Sequence, residues 1–262
     1  MPDDIIKLIL DDMDKQGFPL EVQVTETLKT HGWGVHNQEA YLDIETGKQR
    51  TIDIESIRDI HLPKEEWNLQ VRLLVECKKC TKPWVFYVSD THKEEITEQL
   101  RINAKIYTDQ ISQLAYLNSV DENRDKFTDT SNQYLFKREL TKPIFDKLAY
   151  VTYEPFTSGK GNRIHRAQMQ VIGATIHLNR KLGQDNSIQI PHCIFLKPLI
   201  ILDGQLYAYQ DMSLIKERGL YYSANFNDSR FIIEVITADH LETYLKGIDS
   251  NISDFQRALK GL

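Results

Sequence analysis

Apolar residues recur over the first thirty positions at three- and four-residue spacing and then switch to alternation. Ile5, Ile6, Ile9, Leu10 and Met13 lie among aspartates and lysines, a pattern that predicts an amphipathic helix over residues 3–15. Gly17 breaks it, and Pro19, a good first-turn residue, opens a second helix that runs to about Thr30 before His31-Gly32. Glu21, Val24, Thr25 and Leu28 share one face of that helix. Strand patterns follow at 33–41, 50–57 and 71–78, with a plausible turn at Thr46-Gly47-Lys48. Alternation puts Ile52 and Ile54 on one side of the second strand and Asp53 and Glu55 on the other. In the third strand, Val71, Leu73, Val75 and Cys77 oppose Arg72, Leu74, Glu76 and Lys78.

A short β-like run covers Trp84 to Val88. Residues 91–118 read as a helix, 119–133 as a polar surface loop and 134–149 as a short helix. The loop Gly159-Lys160-Gly161-Asn162 opens a helix from about Ile164 to Leu178. Strands return at Cys193–Leu202, Gln205–Tyr209 and Phe231–Thr237, and a last helix starts near Asp239. The order is mixed α/β, and the early meander argues against a fully parallel sheet. A single domain accommodates it, with a core over about 18–88 and 160–237 and a helical insertion over about 89–160.

Composition narrows the class. Hydrophobic residues make up 41% and charged residues 27%, as in an ordinary soluble globular chain. Apolar runs such as Leu199–Leu202 are far shorter than the roughly 20 residues of a membrane span. Three cysteines imply no disulfide framework, and the acidic start Met1-Pro2-Asp3-Asp4 is unlike a secretory signal, so a cytoplasmic location is expected. A net charge of −6 argues against electrostatic coating of nucleic acid but leaves room for an enzyme with a local basic groove.

The chemistry-bearing residues sit on the strands. Carboxylates and a lysine at the ends of apolar strands are costly to bury unless something uses them, and a divalent metal with a phosphodiester would. Mg²⁺, for which Mn²⁺ can substitute, takes oxygen ligands that Asp53 and Glu76 can supply, with the Cys77 backbone carbonyl as a third. Lys78, on the same face as Glu76, would hold or deprotonate the attacking water. Glu21 would bind a second metal or orient a hydrated one. The competing readings are a solvated cross-strand pair for Glu76 and Lys78, worth about 0.2–1 kcal/mol, and a helix-N-terminal charge for Glu21. Glu55 reads as a solvated neighbour.

Ile52-Asp53-Ile54 and Glu76-Cys77-Lys78, behind a Glu-bearing helix, resemble the PD-(D/E)XK nuclease superfamily of restriction-endonuclease-like fold, and among it the stand-alone Mrr-like members. The resemblance implies an αβββαβ core around a central four-stranded mixed sheet and Mg²⁺-dependent endonuclease cleavage of DNA, in defence or repair. RNA and a homodimer remain open as partners, and no membrane is expected. Thr51-Ile52 stands where the family has a proline before the aspartate. Gln168, on the core side of its helix, would touch phosphate or a metal-bound water, or else be a buried amide with a backbone partner. Lys160, Arg163 and Arg166 gather at that helix's start, where anions are favoured, as DNA-backbone contacts or an ordinary basic loop. Lys79 and Lys82 add positive charge. A zinc site from Cys77, Cys80, His192 and Cys193 is a weak reading, because adjacent strand residues point apart. The alternative function is an inactive nuclease-fold protein that serves as a nucleic-acid-binding or assembly module.

Overall fold

A computed structural model describes residues 2–16, 18–43, 46–62, 67–88, 144–155, 163–184, 192–226 and 229–260. Helices α1 (Pro2–Gln16) and α2 (Phe18–Thr30) lead into a meander of β1 (Gly34–Leu42), β2 (Gln49–Leu62) and β3 (Trp67–Lys79). Then come β4 (Trp84–Val88), β5 (Leu148–Tyr153), α3 (Arg163–Gln184), β6 (His192–Asp203), β7 (Leu206–Gln210), β8 (Ser213–Glu217), β9 (Gly219–Phe226) and β10 (Ser229–Thr237). A 3₁₀ turn at Ala238–His240 and α4 (Leu241–Lys260) close the described chain.

The strands form one ten-stranded mixed sheet in the order β1-β2-β3-β6-β10-β9-β5-β4-β7-β8. β1, β2 and β3 are antiparallel neighbours, whereas β3, β6 and β10 run parallel. Burial on both faces is what a central parallel strand requires, and the apolar run in β6 provides it. Leu199 and Ile201 enter one core with Leu73, Val75 and Cys77 of β3, beneath α2 (Leu20, Val24, Leu28) and α4 (Tyr244, Leu245, Ile248). Ile200 and Leu202 enter the other with Leu74, beneath α3 (Ile164, Ala167, Val171).

Past their parallel segments, β3 and β6 continue together into β4 and β7, which are again parallel. The Cys80 N–H donates to the Asp203 carbonyl at 2.9 Å and the Trp84 N–H to that of Gln205 at 2.8 Å, which stitches the two crossings. Trp84, Phe86 and Leu206 thereby close over the α3 core. A Cβ on Gly204 would lie 2.7 Å from the Cys80 carbonyl oxygen. Gly204→Ala is therefore expected to cost about 1–3 kcal/mol, read as a lower urea midpoint, because backbone rather than a flexible side chain must move.

Helices α1, α2, α3 and α4 and the strands from β1 to β4 fall where the sequence pattern puts them, with β2 and β3 longer than expected. The sheet departs from the four strands expected. Residues 148 and 149, the end of the helix expected over 134–149, begin β5, and β8 and β9 have no counterpart among the expected strands. Within the insertion assigned to 89–160, the described residues thus supply a sheet strand; the helix at 91–118 and the loop at 119–133 lie outside the described residues. Cys77 and Cys80 are free and belong to different cores, so the proposed zinc half-site is split.

Candidate functional site

The regular alternation of β2 fails at Asp53. Ile52 packs in the α3 core, but Ile54, two residues on, packs in the α2–α4 core. The β2–β3 ladder begins only at Ile54 opposite Val75, so the strands part where Asp53 lies. In place of a ladder bond, Asp53 Oδ2 accepts the Cys77 N–H at 2.7 Å. The carboxylate is thereby fixed against β3, one peptide from Glu76.

Glu76 projects from β3 on the same side as Leu74 and Lys78, as alternation requires. Its side chain is wholly buried. Lys78 Nζ donates to Glu76 Oε1, while Glu76 Oε2 has no hydrogen-bond partner. Burial, and then the neighbouring Asp53 charge, push the Glu76 carboxyl up to about 8, with Lys78 acting against both. Asp53 is also raised, chiefly by burial, with the Cys77 N–H and Lys78 opposing. Glu21, in the first turn of α2, is raised by partial burial and by the Asp53 charge. The Asp53 charge thus acts on both Glu21 and Glu76, and Lys78 acts on all three carboxyl groups.

Two further residues belong here. Tyr41 of β1 is buried, and its hydroxyl is pushed up to about 12 by burial and next by the Glu76 charge. A Cβ on Gly173 of α3 would come within 3.0 Å of the Tyr41 ring, so that glycine admits the tyrosine. Gln38 donates from Nε2 to Glu21 Oε2 at 2.8 Å. Sequence offered little to single out either residue: Tyr41 reads as an ordinary strand aromatic, and Gln38 sits in the polar run His36-Asn37-Gln38-Glu39.

The substrate-side candidates divide. Gln168 is buried on α3 and its Nε2 has no partner, so that atom does not make the backbone bond expected of a structural buried amide. Lys79 is exposed and by alternation shares the side of Cys77, away from Glu76. The Arg163 N–H and guanidinium both meet Glu154, at 3.0 Å and 3.8 Å, so the anion at the start of α3 is already a protein carboxylate. Arg166 is exposed on α3, and Lys160 lies outside the described residues. Glu55 is not a solvated neighbour, because Arg72 Nη1 donates to its Oε1 at 2.8 Å with both side chains largely covered.

Among the described residues no group of three or more His, Cys, Asp and Glu side chains is arranged to hold a metal ion. Mg²⁺ needs no such cage, since one or two carboxylates with water and phosphate complete its octahedron. Asp53 and Glu76 fit that requirement: they are hard oxygen donors, and Glu76 Oε2 is a buried acceptor with nothing to accept. No protein-family model, no curated protein and no solved structure matches the chain.

Proposed function

We propose that this chain is a divalent-metal-dependent endonuclease with a restriction-endonuclease-like core, acting on DNA. The observation that carries the reading is Glu76, a fully buried carboxyl with one unpartnered oxygen, in contact with Lys78 and next in sequence to the Cys77 N–H that holds Asp53. An unsatisfied buried acceptor costs about 1–3 kcal/mol, and a bound cation would offset that cost at Glu76. The order α2, β1, β2, β3 and, after the intervening β4 and β5, α3 and β6, with β3 and β6 parallel, supports the same reading.

Asp53 and Glu76 would hold the cation, with the Cys77 carbonyl as a third oxygen. When bound, Mg²⁺ would neutralise phosphate oxygens and lower the pKa of a water. Lys78 has further N–H donors beyond the one on Glu76, and these would hold the attacking water or the charge that develops on phosphorus. Gln168 Nε2 would donate to phosphate. Two-fold assembly accompanies the reading, since cutting both strands takes two sites.

Asp53→Asn keeps an acceptor for the Cys77 N–H while it removes the charge. It is expected to lower Mg²⁺- or Mn²⁺-dependent cleavage of plasmid DNA at least about 10²-fold, with an unchanged circular dichroism spectrum. Cleavage that persists in the variant would sink the assignment. A second reading, an assembly module on the same fold, is favoured by α1, where Ile5, Ile6, Leu8, Ile9 and Leu10 are all more than half exposed. It predicts self-association or DNA retention with no cleavage under any metal.

A further inference from the structure

The β1–β2 ladder pairs Asn37 with Ile54 and Glu39 with Ile52, and steps over Gln38 and Asp53. At that gap Gln38 has φ 56, in the left-handed region. A residue with a Cβ is disfavoured there, and glycine or asparagine is the usual occupant. The other described non-glycine residues with positive φ, Asp211 and Met212, form the β7–β8 turn, where that conformation is ordinary. Gln38 alone among them lies inside a strand. Strain of this kind persists where the surroundings over-determine it, and such places cluster at functional sites.

We propose that Gln38 is a positioning residue: it keeps Glu21 turned toward the Asp53–Glu76 pair and so sets the affinity of the site for a divalent cation. This rests on the cation reading of that cluster. The left-handed turn at Gln38 carries its side chain to α2, where Nε2 meets Glu21 Oε2 at 2.8 Å. The same local break takes Asp53 out of the β1–β2 ladder and leaves its carboxylate for Cys77. A single backbone irregularity therefore places two of the three acidic groups. The choice of an amide also follows. Glutamine donates to a carboxylate without neutralising it, whereas lysine or arginine would cancel the charge that a cation needs. Glycine would relieve the backbone but leave Glu21 without this donor.

Mn²⁺ titration by calorimetry on the metal-stripped full chain tests this, together with thermal midpoints in chelator. Gln38→Gly is expected to raise the midpoint by about 2–4 °C as strain is relieved. It should weaken Mn²⁺ binding about 3–10-fold, in the manner of an outer-shell partner. Glu21→Gln should weaken it about tenfold, and the double variant should be no weaker than Glu21→Gln alone, since both act through one carboxylate. Unchanged affinity in Gln38→Gly, losses that add in the double variant, or a midpoint that falls would each overturn the inference. A native chain that binds no Mn²⁺ would overturn the cation reading and this inference with it.

Discussion

Lys78→Ala should reduce metal-dependent DNA cleavage by about 10²–10⁴-fold and leave the fold intact. The loss is expected to be large because Lys78 is the cation that meets Glu76 within the cluster. The fold should survive for a reason specific to this site. Removing one partner of a buried ion pair normally strands a charge at a cost of about 3–5 kcal/mol. Here burial already holds the Glu76 carboxyl near 8, so the variant answers by keeping its proton. Single-turnover cleavage of supercoiled plasmid with Mg²⁺, beside a urea unfolding curve, separates the two effects. Wild-type rates in the variant would remove Lys78 from the chemistry, and unfolding would show that its role is structural.

Glu76→Gln should stabilise the metal-free chain at alkaline pH by roughly 2–4 kcal/mol, and the gain should vanish in acid. The folded carboxyl titrates near 8 and the unfolded one near its ordinary 4.5. Below 4.5 both states keep the proton, and the stabilising contribution of this group is complete. Between 4.5 and 8 the unfolded chain releases a proton that the folded chain retains, so stability falls as pH rises. Above 8 the folded chain carries a buried charge that the amide variant does not. Urea midpoints at pH 5 and pH 8.5 in chelator measure the difference. Mn²⁺ at pH 8.5 should narrow or reverse it, because only the native carboxylate can bind the ion and gain by mass action. A pH-independent gap would show that Glu76 is not held protonated by its surroundings.

Much of the site was legible because strand alternation is a short-range rule. Leu74, Glu76 and Lys78 share a side of β3 wherever that strand lies, so the carboxylate and ammonium had to be neighbours. The rule failed at Asp53, whose flanking isoleucines bury in opposite cores. No local pattern announces the left-handed turn at Gln38 behind that break. The basic cluster at the start of α3 misled for another reason. Arg163 meets Glu154, nine positions away, and a pairing of that kind is settled by where β5 delivers its following residue. Only the first two residues of β5 fall within the helix expected over 134–149, and the strand's burial is short and one-sided, with Leu148 and Ala149 buried and Val151 exposed.

The linear chain by itself determined the α2–β1–β2–β3 order, the strand that becomes β6 and the shared side of Glu76 and Lys78, since each depends on spacing over short stretches of chain. Only the tertiary structure decided how far the sheet extends, which carboxylates keep their charge and which cations are already committed to protein partners. Those outcomes depend on desolvation and on contacts between segments distant in sequence, where burial of Glu76 outweighs the attraction of Lys78.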